Sequence, residues 1–261
     1  NAGPDLPEKV NPIPEGFDPL APLENPEPVP DYKPFVSKLT KSDTFAQLDQ
    51  LMKERIMFID GAMGTQIQKW KLEENDFRGE RYKDHSDELK GNNDILVITR
   101  PDVIESIHHA FLEAGADIIE TNTFNGTTIS QADYSLDQKE EVDLINRTAA
   151  QLAKRCTAAY MASHPGSVKF VAGAIGPTNK TLSVSPSVEN PALRGITFDE
   201  VAQAYYEQAL ALYDGGVDLF LVETIFDTGN ARAALYALDR FFEEKGVRIP
   251  VFVSGTIVDN S

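Results

Sequence analysis

Two carboxylates occupy positions from which an acid can do more than keep the chain in solution. Asp60 closes the apolar run Arg55-Ile-Met-Phe-Ile-Asp, and Glu223 closes Asp218-Leu-Phe-Leu-Val-Glu. An acid at the end of an unbroken apolar strand either caps the next turn or faces a ligand. Taken singly, each residue serves both roles equally well. Taken together, at equivalent ends of two strands, they favour a shared ligand carrying a cationic group, such as an amino-acid ammonium. Glu120 follows Asp117-Ile-Ile and precedes Thr121-Asn-Thr, which leaves it open between a hydrogen-bond network and ligand contact. Glu120 and Glu223 are each read onto the face of the aspartate that opens their strand, Asp117 and Asp218.

The other reactive side chains form no recognisable set. His85, His108, His109 and His164 lack metal-binding spacing. The adjacent His108 and His109 diverge by about 100° on a helix and are read as surface or half-buried residues. Cys156 has no partner and is assigned to core packing. The run Gly173-Ala-Ile-Gly-Pro-Thr-Asn-Lys-Thr181 could offer backbone N–H groups to an anion such as a phosphate-bearing ligand, but a plain tight turn is favoured. Trp70 and the charged stretch Glu73–Asp87 are read as a solvated loop. No Ser–His–Asp or Cys–His arrangement is evident.

The elements that must position these residues alternate in type. A helix over Asp43–Glu54 precedes a buried strand over Arg55–Asp60. Thr99-Arg-Pro-Asp opens a helix that Gly115 stops, and a strand over Asp117–Thr123 follows. A long helix over Asp137–Ser163 leads to the strand from Lys169. Thr197-x-x-Glu200 is a capping box for the next helix, which Gly215-Gly216 ends. Strand Asp218–Glu223, a helix over Ala231–Glu244 and strand Pro250–Gly255 complete the series. Five apolar strands separated by helices imply a parallel sheet with right-handed crossovers. A doubly wound sheet and a (β/α)8 barrel both fit. Against the first, Asp60-Gly-Ala-Met-Gly-Thr lacks the third glycine of a dinucleotide-binding turn. For the barrel, polar residues close four of the five strands, at the end where barrel enzymes keep their chemistry.

Composition bounds the partners. Among 261 residues, 41 are acidic and 24 basic, a net charge of −17. Such a chain is repelled by nucleic acid and by anionic membrane surfaces, and no apolar run approaches the ~20 residues of a membrane helix. A single cysteine excludes an internal disulfide and fits a reducing compartment, so a cytoplasmic location is expected. Ten of the 16 prolines fall between Pro4 and Pro34, mixed with acids. Residues 1–40 are therefore expected to be an extended, polyproline-like segment, and residues 41–261 the folded domain.

Several strings resemble one family. They are Asp60-Gly-Ala-Met-Gly-Thr, Lys90-Gly-Asn-Asn-Asp-Ile, Gly115-Ala-Asp-Ile-Ile-Glu-Thr-Asn-Thr-Phe, the long run Gly173–Val188, Val222-Glu-Thr-Ile-Phe-Asp-Thr and Ser254-Gly-Thr-Ile-Val-Asp. Together they cover Ile56 to Ser261 and resemble the homocysteine-binding domain of cobalamin-dependent methionine synthases, within the homocysteine S-methyltransferases. The resemblance implies a (β/α)8 TIM-type barrel, of which about the first five β/α units are present. It also implies homocysteine as substrate, with its thiol bound to zinc. Methylcobalamin, recharged from methyltetrahydrofolate by other domains, would be the methyl donor. Carried onto this sequence, Asp60 and Glu223 hold the homocysteine amino group, and Gly61 and Thr123 line the same pocket. The family's zinc ligands are three cysteines on the sixth and eighth strands; the chain ends before either, and Cys156 matches none of them. The fragment is thus expected to be inactive alone. Its open barrel is expected to associate with the remaining strands and with the folate and cobalamin domains, in the same protein or a partner chain. The alternative is a non-catalytic half-barrel serving as a structural component of a larger assembly.

Overall fold

A computed structural model describes residues 39–185, 189–190 and 193–257. The expected extended segment lies outside the described residues except at its last two positions, as do the ends of the Gly173–Val188 and Ser254–Asp259 strings. Thr40–Lys41 (β1) pairs in parallel with Val247–Arg248 (β5). Helix α1 (Asp43–Glu54) follows, with an acid in its first turn and a lysine in its last, as the helix dipole favours. The short helices α2 (Met63–Gln68), α3 (Glu74–Arg78) and α4 (Leu96–Thr99) lead to α5 (Pro101–Glu113), where Pro101 takes the first helical turn. Strand β2 (Ile118–Glu120) and the short α6 (Thr128–Gln131) then precede the long α7 (Lys139–Ser163). Strand β3 (Phe170–Ile175), helix α8 (Phe198–Gly215), strand β4 (Leu219–Ile225), helix α9 (Thr228–Lys245) and strand β6 (Val251–Gly255) complete the order. The capping box forms as expected: Glu200 N donates to Thr197 Oγ1 at 3.3 Å and Thr197 N to Glu200 Oε2 at 2.8 Å. Gly216, at φ +99°, ends that helix in the left-handed region.

The main sheet is parallel throughout, in the order β2-β3-β4-β6. Residues 58–60 lie along the free side of β2, where Ile118 N donates to Phe58 O at 3.1 Å and Asp60 N to Ile118 O at 2.9 Å. The five segments thus stand side by side in chain order. A doubly wound sheet reverses its direction of growth at a switch point, and this one does not. Strand parity separates two faces. Ile119, Val171, Phe220 and Val222 join the large core under α5, α7, α8 and α9, while Ile118, Phe170, Ala172, Leu219 and Leu221 form a second cluster with Leu48 of α1.

Three expectations need correction. The buried strand over Arg55–Asp60 is instead an edge: Ile56 and Phe58 are 77% and 61% exposed, because only β2 pairs with this segment among the described residues. His108 is fully buried on α5, and neither ring nitrogen has a hydrogen-bond partner among the described residues. Burial, and then the neighbouring His109, push its pKa down to about 3, so it packs as a neutral ring. The stretch 73–87 is not a solvated loop either. Phe77 and Tyr82 are buried, the Tyr82 hydroxyl and Arg81 both bond Glu141 of α7, and Arg100 bonds Asp76 at 2.5 Å. The charges sit at the rim of a packed insertion and the aromatic rings beneath it.

The aspartates that open β2 and β4 act as clasps. Asp117 accepts from Arg55 at 2.7 and 2.8 Å and from Phe58 N at 2.9 Å, with Lys169 Nζ at 3.8 Å. Asp218 accepts from both Lys154, at 2.8 Å, and Val171 N, also at 2.8 Å. Each clasp fixes the preceding strand at its start and so sets the register that carries the far ends. The bidentate pair to Arg55 and the amide bond hold the Asp117 carboxyl below the usual carboxylate range against its own burial. Asp117→Asn should therefore lower unfolding stability by about 1–3 kcal/mol in urea titration, since it leaves Arg55 and a strand amide short of an acceptor. An unchanged midpoint would show that the clasp does not hold the edge segment.

Candidate functional site

At the carboxyl ends of these strands the chain encloses a cavity of about 460 Å³. Asp60, Gly61, Thr123 and Glu223, the four residues singled out from the sequence, all line it, together with Glu120 and Asp94. Glu120 lies two residues beyond Ile118, and Glu223 four beyond Leu219. Both glutamates therefore share the inner face of the sheet with those residues. This corrects the expected faces. The offsets from Asp117 to Glu120 and from Asp218 to Glu223 are odd, so each glutamate is turned away from its own aspartate.

Local structure aims each group. Beyond β2 the chain turns through a threonine ladder: Thr121 Oγ1 accepts from Ala174 N at 2.9 Å and meets Thr123 Oγ1 at 2.7 Å, while Thr123 donates to Ala174 O at 2.8 Å. Gln208 of α8 donates to Thr123 O at 2.9 Å from below. Phe124, which also lines the cavity, packs directly over Gly176. A Cβ there would stand 2.3 Å from Phe124 O, so only glycine fits. On β4, Thr224 adopts φ +56°, strained for a β-branched residue, and the pairing with β6 slips between Val222 and Ile225. The irregularity falls on Glu223 and Thr224, where such bulges re-aim side chains.

The electrostatics are one-sided. No Lys, Arg or His lines the cavity among the described residues. Asp60 Oδ2 accepts from Glu120 N at 3.0 Å, but Asp60 Oδ1 is buried without a partner among the described residues. Burial, and then repulsion from Glu223, raise the Asp60 pKa to about 7 against the pull of the Glu120 amide. Glu120 is pushed up to about 9 by burial first, then by Glu223 and Asp60. Glu223 is raised by burial as well. A proton retained on Glu120 is directed toward Glu223, so the two titrate as a pair. Asp94, in the single 3₁₀ turn Asn93–Ile95 before α4, is buried to 2% exposure; burial raises its pKa to about 7 although Asn125 N donates to it at 2.9 Å. Sequence reasoning missed Asp94. The available signal was an acid in Gly91-Asn-Asn-Asp followed directly by the apolar run Ile95–Ile98.

The other candidates lie elsewhere. Just beyond the Gly173–Thr181 run the chain is tied to the start of α9: Leu182 N donates to Asn230 Oδ1 at 3.0 Å and Ser183 N to Asp227 Oδ2 at 2.9 Å. Cys156 is buried on α7, and burial raises its thiol to about 12. No three His, Cys, Asp or Glu side chains among the described residues are arranged to hold a metal ion. The described residues therefore do not fit the zinc site that the family resemblance implies.

A raised carboxyl pKa in the folded state costs stability as pH rises. The folded protein keeps a proton that the unfolded chain gives up, so the contribution of Glu120 is intact below its unfolded value of 4.5 and is lost toward about 9. Glu120→Gln should thus raise thermal stability at about pH 8, by on the order of 1 kcal/mol, and change it little near pH 4. A variant equally destabilised at both pH values would show that Glu120 sits in a compensated site.

Comparison with known proteins places this geometry in a family. Residues 57–261 match homocysteine S-methyltransferase. The fold is similar to that of the homocysteine methyltransferase MmuM from Escherichia coli. Its metallated form has a TM-score of 0.60 at 21% identity, over 78% of this chain and 65% of that chain. The apo form has a TM-score of 0.58 at 20% identity, over 81% and 64%. The chain thus spans slightly less than two thirds of the length of these structures. The chain belongs to the homocysteine S-methyltransferase family.

Proposed function

We propose that this chain is the homocysteine-binding part of a methionine synthase, built as the first five β/α units of a (β/α)8 barrel. The observation that carries this reading is the convergence of Asp60, Glu120 and Glu223 on one cavity without a basic side chain, in a chain of this family. An ammonium group placed there meets the unpartnered Asp60 Oδ1 and the Glu223 carboxylate in a water-poor setting, where charge-assisted bonds are strongest. Gly61 and Thr123 line the same cavity, and Thr123 holds the wall against which the ligand rests. The same negative field repels a thiolate, the form of homocysteine that attacks a methyl group. The sulfur must therefore extend away from the carboxylates, and the role of the described residues is to bind and orient the amino end.

Methylcobalamin as donor, methyltetrahydrofolate as its source and zinc at the thiol belong to the same reading, with residues and domains other than those described serving them. The inner sheet face supports the barrel. Ile59 on that face is 42% exposed and Val253 on the opposite face 57% exposed, one on each edge segment, where further parallel strands would pair. A reducing cytoplasm, in which a free thiol substrate persists, suits the chemistry.

Glu223→Gln should weaken homocysteine binding about 10–100-fold in calorimetric titration, because a neutral amide replaces a charged acceptor for the ammonium. Equal affinity would remove Glu223 from the site.

A further inference from the structure

Three carboxyl groups around one ammonium are more than a single positive charge can balance, and the sheet has been shaped to bring them together. Glu120 pairs in register with Ala172 of β3, and Leu221, two residues before Glu223, pairs with Ala174. Ala172 belongs to the inner-face cluster, and Ala174 lies two residues further on the same face. The strand between the two glutamates thus presents only methyl groups at this level. Side chains from β2 and β4, two strand spacings or about 9–10 Å apart at the backbone, can meet across it. Among the described residues, every titratable group lining the cavity with Glu120 is an acid: Asp60 from the edge segment, Glu223 from β4 and Asp94 across the cavity. β6 contributes no titratable side chain: Val251, Phe252, Val253 and Ser254 line a second cavity that Glu120 and Glu223 also line.

We propose that Glu120 is a third, proton-carrying contact for the amino group, and that an α-amino acid enters the cavity in exchange for that proton. The inference rests on the reading of the cavity as an amino-acid site and adds the stoichiometry of binding. In the empty site the Glu120–Glu223 pair keeps one proton between its carboxyls, which limits their mutual repulsion and that of Asp60. When R–NH₃⁺ arrives already protonated, the pair loses its proton to solvent. A carboxylic acid and an ammonium become a carboxylate–ammonium pair plus H⁺, with no other bond made or broken. Neutral analogues that lack the amino group have nothing to exchange, so the device selects for the ammonium as well as binding it.

The test is calorimetric titration of the whole chain with L-homocysteine near pH 7, in buffers that differ in ionisation enthalpy, for the wild type and Glu120→Gln. The glutamine keeps a hydrogen-bond donor toward Glu223 but has no proton to give. Any proton lost from the thiol is common to both proteins and cancels in the difference. The wild type should release about one proton more per bound homocysteine than the variant. A second measurement needs no variant: wild-type affinity should rise up to tenfold per pH unit between about pH 6 and 8. Equal proton counts, or a flat affinity profile, with binding intact would overturn the exchange and leave the amino-acid site standing. Failure of the wild type to bind homocysteine at all would overturn the site reading and the exchange with it.

Discussion

Like charges crowded into a cavity without a counter-ion must either hold protons or recruit a cation. Asp60, Glu120 and Glu223 are in that position, and the rest of the site follows from it. Their raised pKa values, the unpartnered Asp60 Oδ1 and the repulsion of a thiolate all express one deficit of positive charge. An amino acid supplies that charge on a small group that fits beside three oxygens. The tension in the empty site is the reverse side of its affinity for the ligand.

The scaffold keeps the tension in place. Clasps at Asp117 and Asp218 fix the start of adjacent strands by joining a side-chain cation to a neighbouring strand amide. With the starts fixed, a parallel register delivers the strand ends to a common rim, and the alanines of β3 let the glutamates meet over it. The threonine ladder and the close passage of Phe124 over Gly176 close one side of the cavity. The strained Thr224 sits next to Glu223, where an irregular backbone re-aims the acid at the end of β4.

Much of this was legible in the sequence, for physical reasons that differ from residue to residue. Helix boundaries with explicit caps, such as Thr197–Glu200 and Pro101, were legible because the capping chemistry is local. Asp60 and Glu223 stood out because an acid that ends an apolar strand has few structural uses. Glu120 stayed ambiguous because its role depends on what stands across β3, which lies far away in the chain. Asp94 was missed because the partner it meets in the fold, the Asn125 amide, lies 31 residues further along the chain. The edge character of 55–60 was hidden for a similar reason, since an apolar run does not reveal how many partners it has. His108 read as surface or half-buried because a histidine's type does not disclose that its ring is fully buried.

The central claim is that this cavity recognises an ammonium group through carboxylates. The most direct measurement compares the affinity for L-homocysteine with that for 4-sulfanylbutanoate, which keeps the thiol and carboxylate and lacks only the amino group. Loss of one desolvated charge pair should weaken binding by about 100-fold or more. Equal affinity for the two compounds would contradict the account.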